Sequence, residues 1–149
     1  MDACPPPAEE TKATGVKAGA PGVTFDTGAL ISLERRGERA RNVFNRLRER
    51  DVLITAPLPV IGEWWRGRTD WREKILASVR IEPLTLEMAK LAGEALASLP
   101  RASRSAGPGL VDAIVMASAA SRGDVVYTSD VKDLERLQSF FPGVMILSV

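Results

Sequence analysis

A chain of 149 residues with 45% apolar side chains is long enough to bury one core and short enough to form a single domain. It has no histidine and one cysteine, Cys4, which excludes Ser-His-Asp and Cys-His nucleophile systems, His- or thiolate-ligated zinc, and any internal disulfide. The 20 basic and 19 acidic groups exclude a bulk polybasic protein, though not a local basic patch, and leave carboxylates, Lys, Arg and hydroxyls as the tools for any chemistry.

The single cysteine fits a reducing cytosol, so a cytoplasmic location is expected. The longest apolar-rich run, Leu110 to Ala120, contains Asp112 and is too short to span a membrane. Residues 1–21 are rich in Pro, Ala, Gly, Thr and charge; they cannot bury enough apolar surface to order themselves and read as a disordered leader. Residues 22–149 are left as the folded domain.

Val23 to Phe25 reads as a short buried strand that ends in Asp26 and the turn Thr27-Gly28. Ala29 to Leu33 begins a helix that Glu34-Arg-Arg-Gly37 ends. A second helix is predicted over Glu38 to Arg50, with Ala40, Val43, Phe44 and Leu47 on its buried face. Seven arginines against two acids lie between Arg35 and Arg50, consistent either with a solvated helix face or with a nucleic-acid contact surface. Asp51 to Thr55 is the second strand; Pro57 and Pro59 then mark a helix start, the helix running through Arg66 to Gly67. On it Glu63 emerges from a face otherwise formed by Pro59, Val60 and Gly67, and Trp64 and Trp65 read as core or interface.

Trp71 to Val79 is a further helix, and Arg80 to Leu84 an edge strand because Pro83 could not donate inside a ladder. Thr85 caps an amphipathic helix, Leu86 to Leu99, whose apolar side is read as Leu86, Ala89, Leu91, Ala92, Leu96 and Leu99. Pro100 to Gly109 reads as a mobile loop, with Arg101 and Arg104 available either to a substrate phosphate or to solvent. Leu110 to Ala120 is a strongly apolar helix stopped by Gly123, and Asp112 is its one charge before Arg122. Val125 to Thr128 is a strand closed by Asp130, Val131 to Phe140 a helix, and Val144 to Leu147 a last strand. Strands alternating with helices predict an α/β fold, a three-layer α-β-α sandwich with a mostly parallel central sheet.

Four acids thus stand at element ends or on apolar helix faces: Asp26, Glu63, Asp112 and Asp130. Asp26 and Asp130 read equally as ordinary helix N-caps, and Asp112 as an acid favoured by the helix dipole. Gathered at one edge of a parallel sheet they would repel one another, a situation tolerated mainly when a hard divalent cation fills it.

The pieces Val23-Thr-Phe-Asp26-Thr27, Pro59-Val-Ile-Gly-Glu63-Trp, Leu110-Val-Asp112-Ala-Ile-Val-Met-Ala and Val126-Tyr-Thr-Ser-Asp130-Val-Lys-Asp133-Leu, in that order and spacing, resemble the PIN-domain family, and within it the VapC-type toxins of bacterial toxin–antitoxin pairs. The resemblance covers nearly everything outside the leader. It implies a PIN-like fold and a Mg²⁺- or Mn²⁺-dependent endoribonuclease whose catalytic and metal-binding residues are Asp26, Glu63, Asp112 and Asp130. Thr27, Ser129 and Asp133 would support those acids, Asp133 reading equally as first-turn helix charge, while Thr128 reads as a strand residue. Arg35, Arg36, Arg39, Arg101 and Arg104 are the candidates for holding an RNA backbone. A homodimer and a cognate antitoxin protein are implied as well. Two departures are the Pro-rich leader and Gly62 beside Glu63, where a larger residue is more usual. The alternatives are a catalytically inactive PIN-like module that binds RNA or protein, and a carboxylate-site phosphatase or flap-type DNA nuclease. Against an aspartyl phosphatase stands the sequence Asp26-Thr27-Gly28, which lacks a second Asp two residues on.

Overall fold

Val23–Phe25 and Ile54–Pro57 are buried at every position, the signature of strands covered on both faces of a parallel sheet. The computed structural model describes residues 21–104 and 107–149, without the side chains of Ser103 and Arg104. Residues 1–20 of the expected leader lie outside the described residues.

In chain order the elements are β1 (Val23–Phe25), α1 (Thr27–Glu34), α2 (Glu38–Glu49), β2 (Ile54–Pro57), α3 (Leu58–Trp64), α4 (Asp70–Ser78) and β3 (Arg80–Glu82). There follow α5 (Leu86–Ala97), α6 (Arg101–Arg104), α7 (Leu110–Arg122), β4 (Val125–Thr128), α8 (Val131–Glu135) and β5 (Ile146–Ser148). The five strands are parallel throughout, in the order β3-β2-β1-β4-β5. The chain moves outward from β1 through β2 to β3, then returns to place β4 on the other side of β1. That reversal opens a crevice outside the carboxyl ends of β1 and β4, where α/β sheets bind their ligands. Register pairs Phe25 with Tyr127, so Asp26 leaves the sheet directly beside Thr128.

The core is continuous from Phe25, Leu30 and Leu33 through Trp64 to Ile114 and Met116. Trp64 is buried, and Ala40 and Phe44 of α2 face inward with Val43 and Leu47 half-buried, as the spacing predicts. The Trp71 indole N–H donates to the carbonyls of Leu33 and Glu34, which satisfies the open end of α1 and ties α4 to it. At the other end of α7, Gly123 takes the left-handed conformation (φ 73°) that stops the helix.

Five expectations are corrected. The buried side of α5 is Met88, Ala92 and Ala95, with Leu99 beyond it, whereas Leu86 and Leu91 are exposed (71% and 42%). Met88, Ala92, Ala95 and Leu99 recur at i, i+4, i+7 and i+11, one face of the helix, and its small alanines let α5 pack along α7; Thr85 caps the helix by accepting from the Met88 N–H at 3.1 Å. The Pro100–Gly109 segment is not all loop, since Arg101–Arg104 forms a helical turn. The helix bearing Glu63 stops at Trp64 because Trp65 is already extended (ψ 127°). The helix after Asp130 stops at Glu135, giving way to turns such as Leu137 N–H to Leu134 C=O at 3.0 Å, and the last strand falls at Ile146–Ser148.

Among the described residues no helix is long and apolar enough to cross a membrane.

Candidate active site

β1 ends because Asp26 takes over as the N-cap of α1: its Oδ1 accepts from the Ala29 N–H at 2.8 Å. Its Oδ2 accepts from the Thr128 hydroxyl, at the end of the neighbouring strand. Asp26 is only 6% exposed. Burial is the main reason its carboxyl pKa is raised to about 6; the two hydrogen bonds pull it down, and the charges of Asp112 and Asp130 push it further up.

Asp130 performs the same local task one strand over. It caps α8, and its own N–H donates to the Thr128 hydroxyl at 2.9 Å. Asp112 sits in the first turn of α7, where its Oδ2 accepts from the Gly109 N–H at 2.9 Å. Its pKa is raised chiefly by burial, against that hydrogen bond, with Asp133, Glu63 and Asp130 adding repulsion. Glu63 reaches in from α3, where its Oε1 accepts from the Thr27 hydroxyl at 2.7 Å. Asp133 is raised as well, first by desolvation and then by Asp130.

All four acids picked out in the sequence therefore meet at the carboxyl edge of the sheet, with Asp133 beside them. Capping accounts for Asp26, Asp112 and Asp130 separately, but not for Glu63 near the end of α3, nor for the mutual repulsion among these carboxylates. Among the described residues none of the five forms an ion pair, Arg136 acting on Asp133 only at longer range. A hard divalent cation would offset that repulsion, as would a proton held by Asp26. Among the described residues no three acids are grouped closely enough to enclose an ion as they stand. Mg²⁺ ordinarily keeps several waters and binds through one or two carboxylates, so this donor set fits a partly hydrated hard cation rather than a closed cage.

Thr27 is half-buried and holds Glu63, whereas Ser129 is exposed. A Cβ on Gly28 would come within 2.1 Å of the Ser129 Oγ and 3.3 Å of its Cβ, so the β4–α8 loop lies close against the start of α1 and Ser129 would have to turn to admit a side chain there. Thr128 is the strand residue the sequence predicts, with a second role beside it. It is the last residue of β4 and also bridges Asp26 and Asp130, a role visible only once β1 and β4 are known to be neighbours. Its signal in the sequence was a hydroxyl two residues before a strand-closing Asp.

The candidate arginines are not brought to the acids as a group. Arg35 ends α1, exposed; Arg36 lies over the Trp71 ring at 4.9 Å; Arg39 lies on α2. Arg101 is exposed on α6, and the side chain of Arg104 lies outside the described residues.

The fold and this edge define an α/β protein of PIN-like architecture with an acidic crevice at the switch point of its sheet. No family model matches the sequence, and no curated protein matches it significantly. Among solved structures the chain matches VapBC2 from Rickettsia felis, bound to a DNA fragment from their promoter: 14% identity, TM-score 0.65, covering 85% of this chain and 98% of that one. It matches DNA-bound VapBC from Salmonella typhimurium at 22% identity and TM-score 0.61, covering 87% and 98%. It matches FitAB bound to the IR36 DNA fragment at 17% identity and TM-score 0.61, covering 85% and 94%. The PIN-like fold expected from the sequence is thus the fold observed.

Proposed function

We propose that the chain is a metal-dependent endoribonuclease that cleaves RNA phosphodiester bonds, and that it is the toxin of a type II toxin–antitoxin pair. The observation that carries the reading is the convergence of Asp26, Glu63, Asp112 and Asp130 on one sheet edge, where burial first and then neighbouring acids raise the pKa of Asp26 (Asp112 and Asp130) and of Asp112 (Asp133, Glu63 and Asp130). The complexes named VapBC and FitAB, which share the fold, support a cognate antitoxin as partner. A homodimer and a cytoplasmic setting belong to the same reading.

Asp26 and Asp112 would hold the ion, Mg²⁺ or Mn²⁺, and Asp130 and Glu63 would complete its surroundings. When bound, the ion supplies an acidified water and offsets charge on the phosphodiester. The chain's own part is to aim these groups. Thr128 fixes one oxygen of Asp26 and the Ala29 N–H the other. Thr27 keeps Glu63 turned toward the crevice, and the Gly109 N–H orients Asp112. Single-stranded or looped RNA is the expected substrate, since splayed segments can enter a narrow acidic site.

Expression of wild type, Asp26→Asn and Asp112→Asn tests the reading, followed by incubation of each purified protein with RNA and with DNA in Mg²⁺ or EDTA. Growth arrest and Mg²⁺-dependent RNA cleavage by wild type alone are expected. Arrest and cleavage that persist in both variants reject the assignment, and preferential cleavage of DNA rejects the substrate.

A second reading, a PIN-like module that binds without turnover, is favoured by one observation: no three acids are pre-grouped around an ion among the described residues. Tight RNA binding with no cleavage in Mg²⁺ or Mn²⁺ would select it.

A further inference from the structure

Seven arginines lie between Arg35 and Arg50, and the structure sorts them. Arg36 is spent on Trp71 and Arg48 lies over Phe44 at 5.7 Å. Arg39, Arg46 and Arg50 follow one another at i, i+7 and i+11, a single stripe of about 16 Å along α2. With Asn42 and Tyr127 they line a groove of about 430 Å³, floored by aliphatic side chains such as Val43 and Leu47. The acids of this helix, Glu38 and Glu49, lie about a quarter turn off the stripe.

These groups have no partners of their own. Among the described residues none of the three guanidiniums, the Asn42 amide or the Tyr127 hydroxyl makes a hydrogen bond or ion pair, whereas Arg72, Arg80 and Arg122 each meet a carboxylate. A row of unanswered cations beside a partly exposed aromatic ring fits a polyanion that also carries flat rings, which describes a nucleic-acid single strand. One of its lining residues, Tyr127, adjoins the acidic edge. The carbonyl of Tyr127 accepts from the Asp26 N–H at 3.3 Å, and the next residue, Thr128, holds the Asp26 carboxylate. An edge of five acids repels RNA, so affinity has to come from elsewhere on the molecule.

We propose that the groove between α2 and β4 holds the run of single-stranded RNA next to the bond being cut, with Arg39, Arg46 and Arg50 on its phosphates and Tyr127 against a base. The inference rests on the nuclease reading for the identity of the strand, not for the binding itself.

The test measures binding without cleavage. Anisotropy of a fluorescein-labelled uridine RNA of about 12 nucleotides is followed with the full chain carrying Asp112→Asn, in EDTA, over a series of KCl concentrations. In that background Arg39→Gln/Arg46→Gln/Arg50→Gln is expected to raise Kd about tenfold or more. It should also reduce the slope of log Kd against log salt by about 2, from roughly 0.7 for each of three phosphate contacts. Tyr127→Leu is expected to raise Kd at least about fivefold and leave the slope unchanged. Arg68→Gln, at an exposed pair with Asp70, changes neither. Circular dichroism of each variant establishes that it is folded.

A folded triple variant with Kd within about twofold of its parent and the same slope overturns the proposal, as does a parent that binds no RNA. So does a triple variant that keeps its RNA affinity but loses binding of a glutamate oligopeptide, which makes the groove a protein site. Loss of cleavage in Asp26→Asn reports on the acidic edge alone, so the two readings fail separately.

Discussion

The Thr128 hydroxyl donates to Oδ2 of Asp26 and accepts from the N–H of Asp130 at 2.9 Å, so one side chain sets the position of two acids on two elements. Thr128→Val keeps the shape and removes both contacts. Groups that orient a metal-holding carboxylate typically govern affinity or rate by about 10- to 100-fold, and a loss of that size in RNA cleavage is expected. The concentration of Mg²⁺ giving half-maximal rate should rise with it, which a purely structural defect would not produce. Thr128→Ser should restore most of both. Wild-type metal dependence in Thr128→Val would remove Thr128 from the site.

Burial sets a pH dependence on stability. In metal-free protein the Asp26 carboxyl titrates near 6, against 3.8 for the free side chain. The folded state then binds this proton more tightly than the unfolded state, so stability falls as pH rises between those values and stays low above them. Asp26→Asn removes that penalty and still offers an oxygen to the Ala29 N–H. In EDTA near pH 7.5 the variant should therefore be more stable than wild type, by at most about 3 kcal/mol, with the difference vanishing towards about pH 4. Urea denaturation at both pH values measures it. A variant less stable near pH 7.5 would mean that the hydrogen bonds outweigh the burial.

Much of the acidic edge could be read from residue order alone, because a β-rich run closed by Asp is a local pattern and Asp26 and Asp130 both end one. Asp112 and Glu63 stood out for the opposite reason, as charges among apolar or non-ionic helical neighbours. What local pattern could not carry was pairing across the sheet. Thr128 looked like any strand residue until β4 lay against β1. Counting leucines points to the wrong face of α5, since the helix turns its alanines, not Leu86 and Leu91, toward α7 and the core. The arginines of α2 were visible as a run, but only the folded helix separates those that lie over Trp71 and Phe44 from those left without partners.

Arg122 carries a different kind of prediction. Its guanidinium meets Glu82 and Asp124 and also donates to the hydroxyls of Thr24 and Ser118, tying α7 to β1 and β3. Asp124 is 4% exposed. Removing one partner of a buried ion pair leaves an uncompensated charge, so Arg122→Met should cost about 3–5 kcal/mol in urea denaturation. Arg122 touches none of the edge acids, so cleavage per folded molecule should be unchanged. A change in Mg²⁺ dependence would show that this network reaches the site.

If the edge holds Mg²⁺ as proposed, repulsion among its acids makes the metal-free protein the less stable form, which gives a test independent of turnover. A ligand that binds only the folded state stabilises it by about 2.7 kcal/mol at 100 times its Kd, so saturating Mg²⁺ should raise Tm by several degrees. KCl of matched ionic strength should give only a small part of that rise, because buried carboxylates such as Asp26 are poorly screened. Asp112→Asn and Asp130→Asn should each shrink the Mg²⁺ effect while raising the starting Tm in EDTA, since each removes one of the charges that Asp26 opposes. Differential scanning fluorimetry over a Mg²⁺ series reads all of these. Equal Mg²⁺ shifts in wild type and both variants would mean that the ion acts by screening the surface, and the edge would then hold no metal.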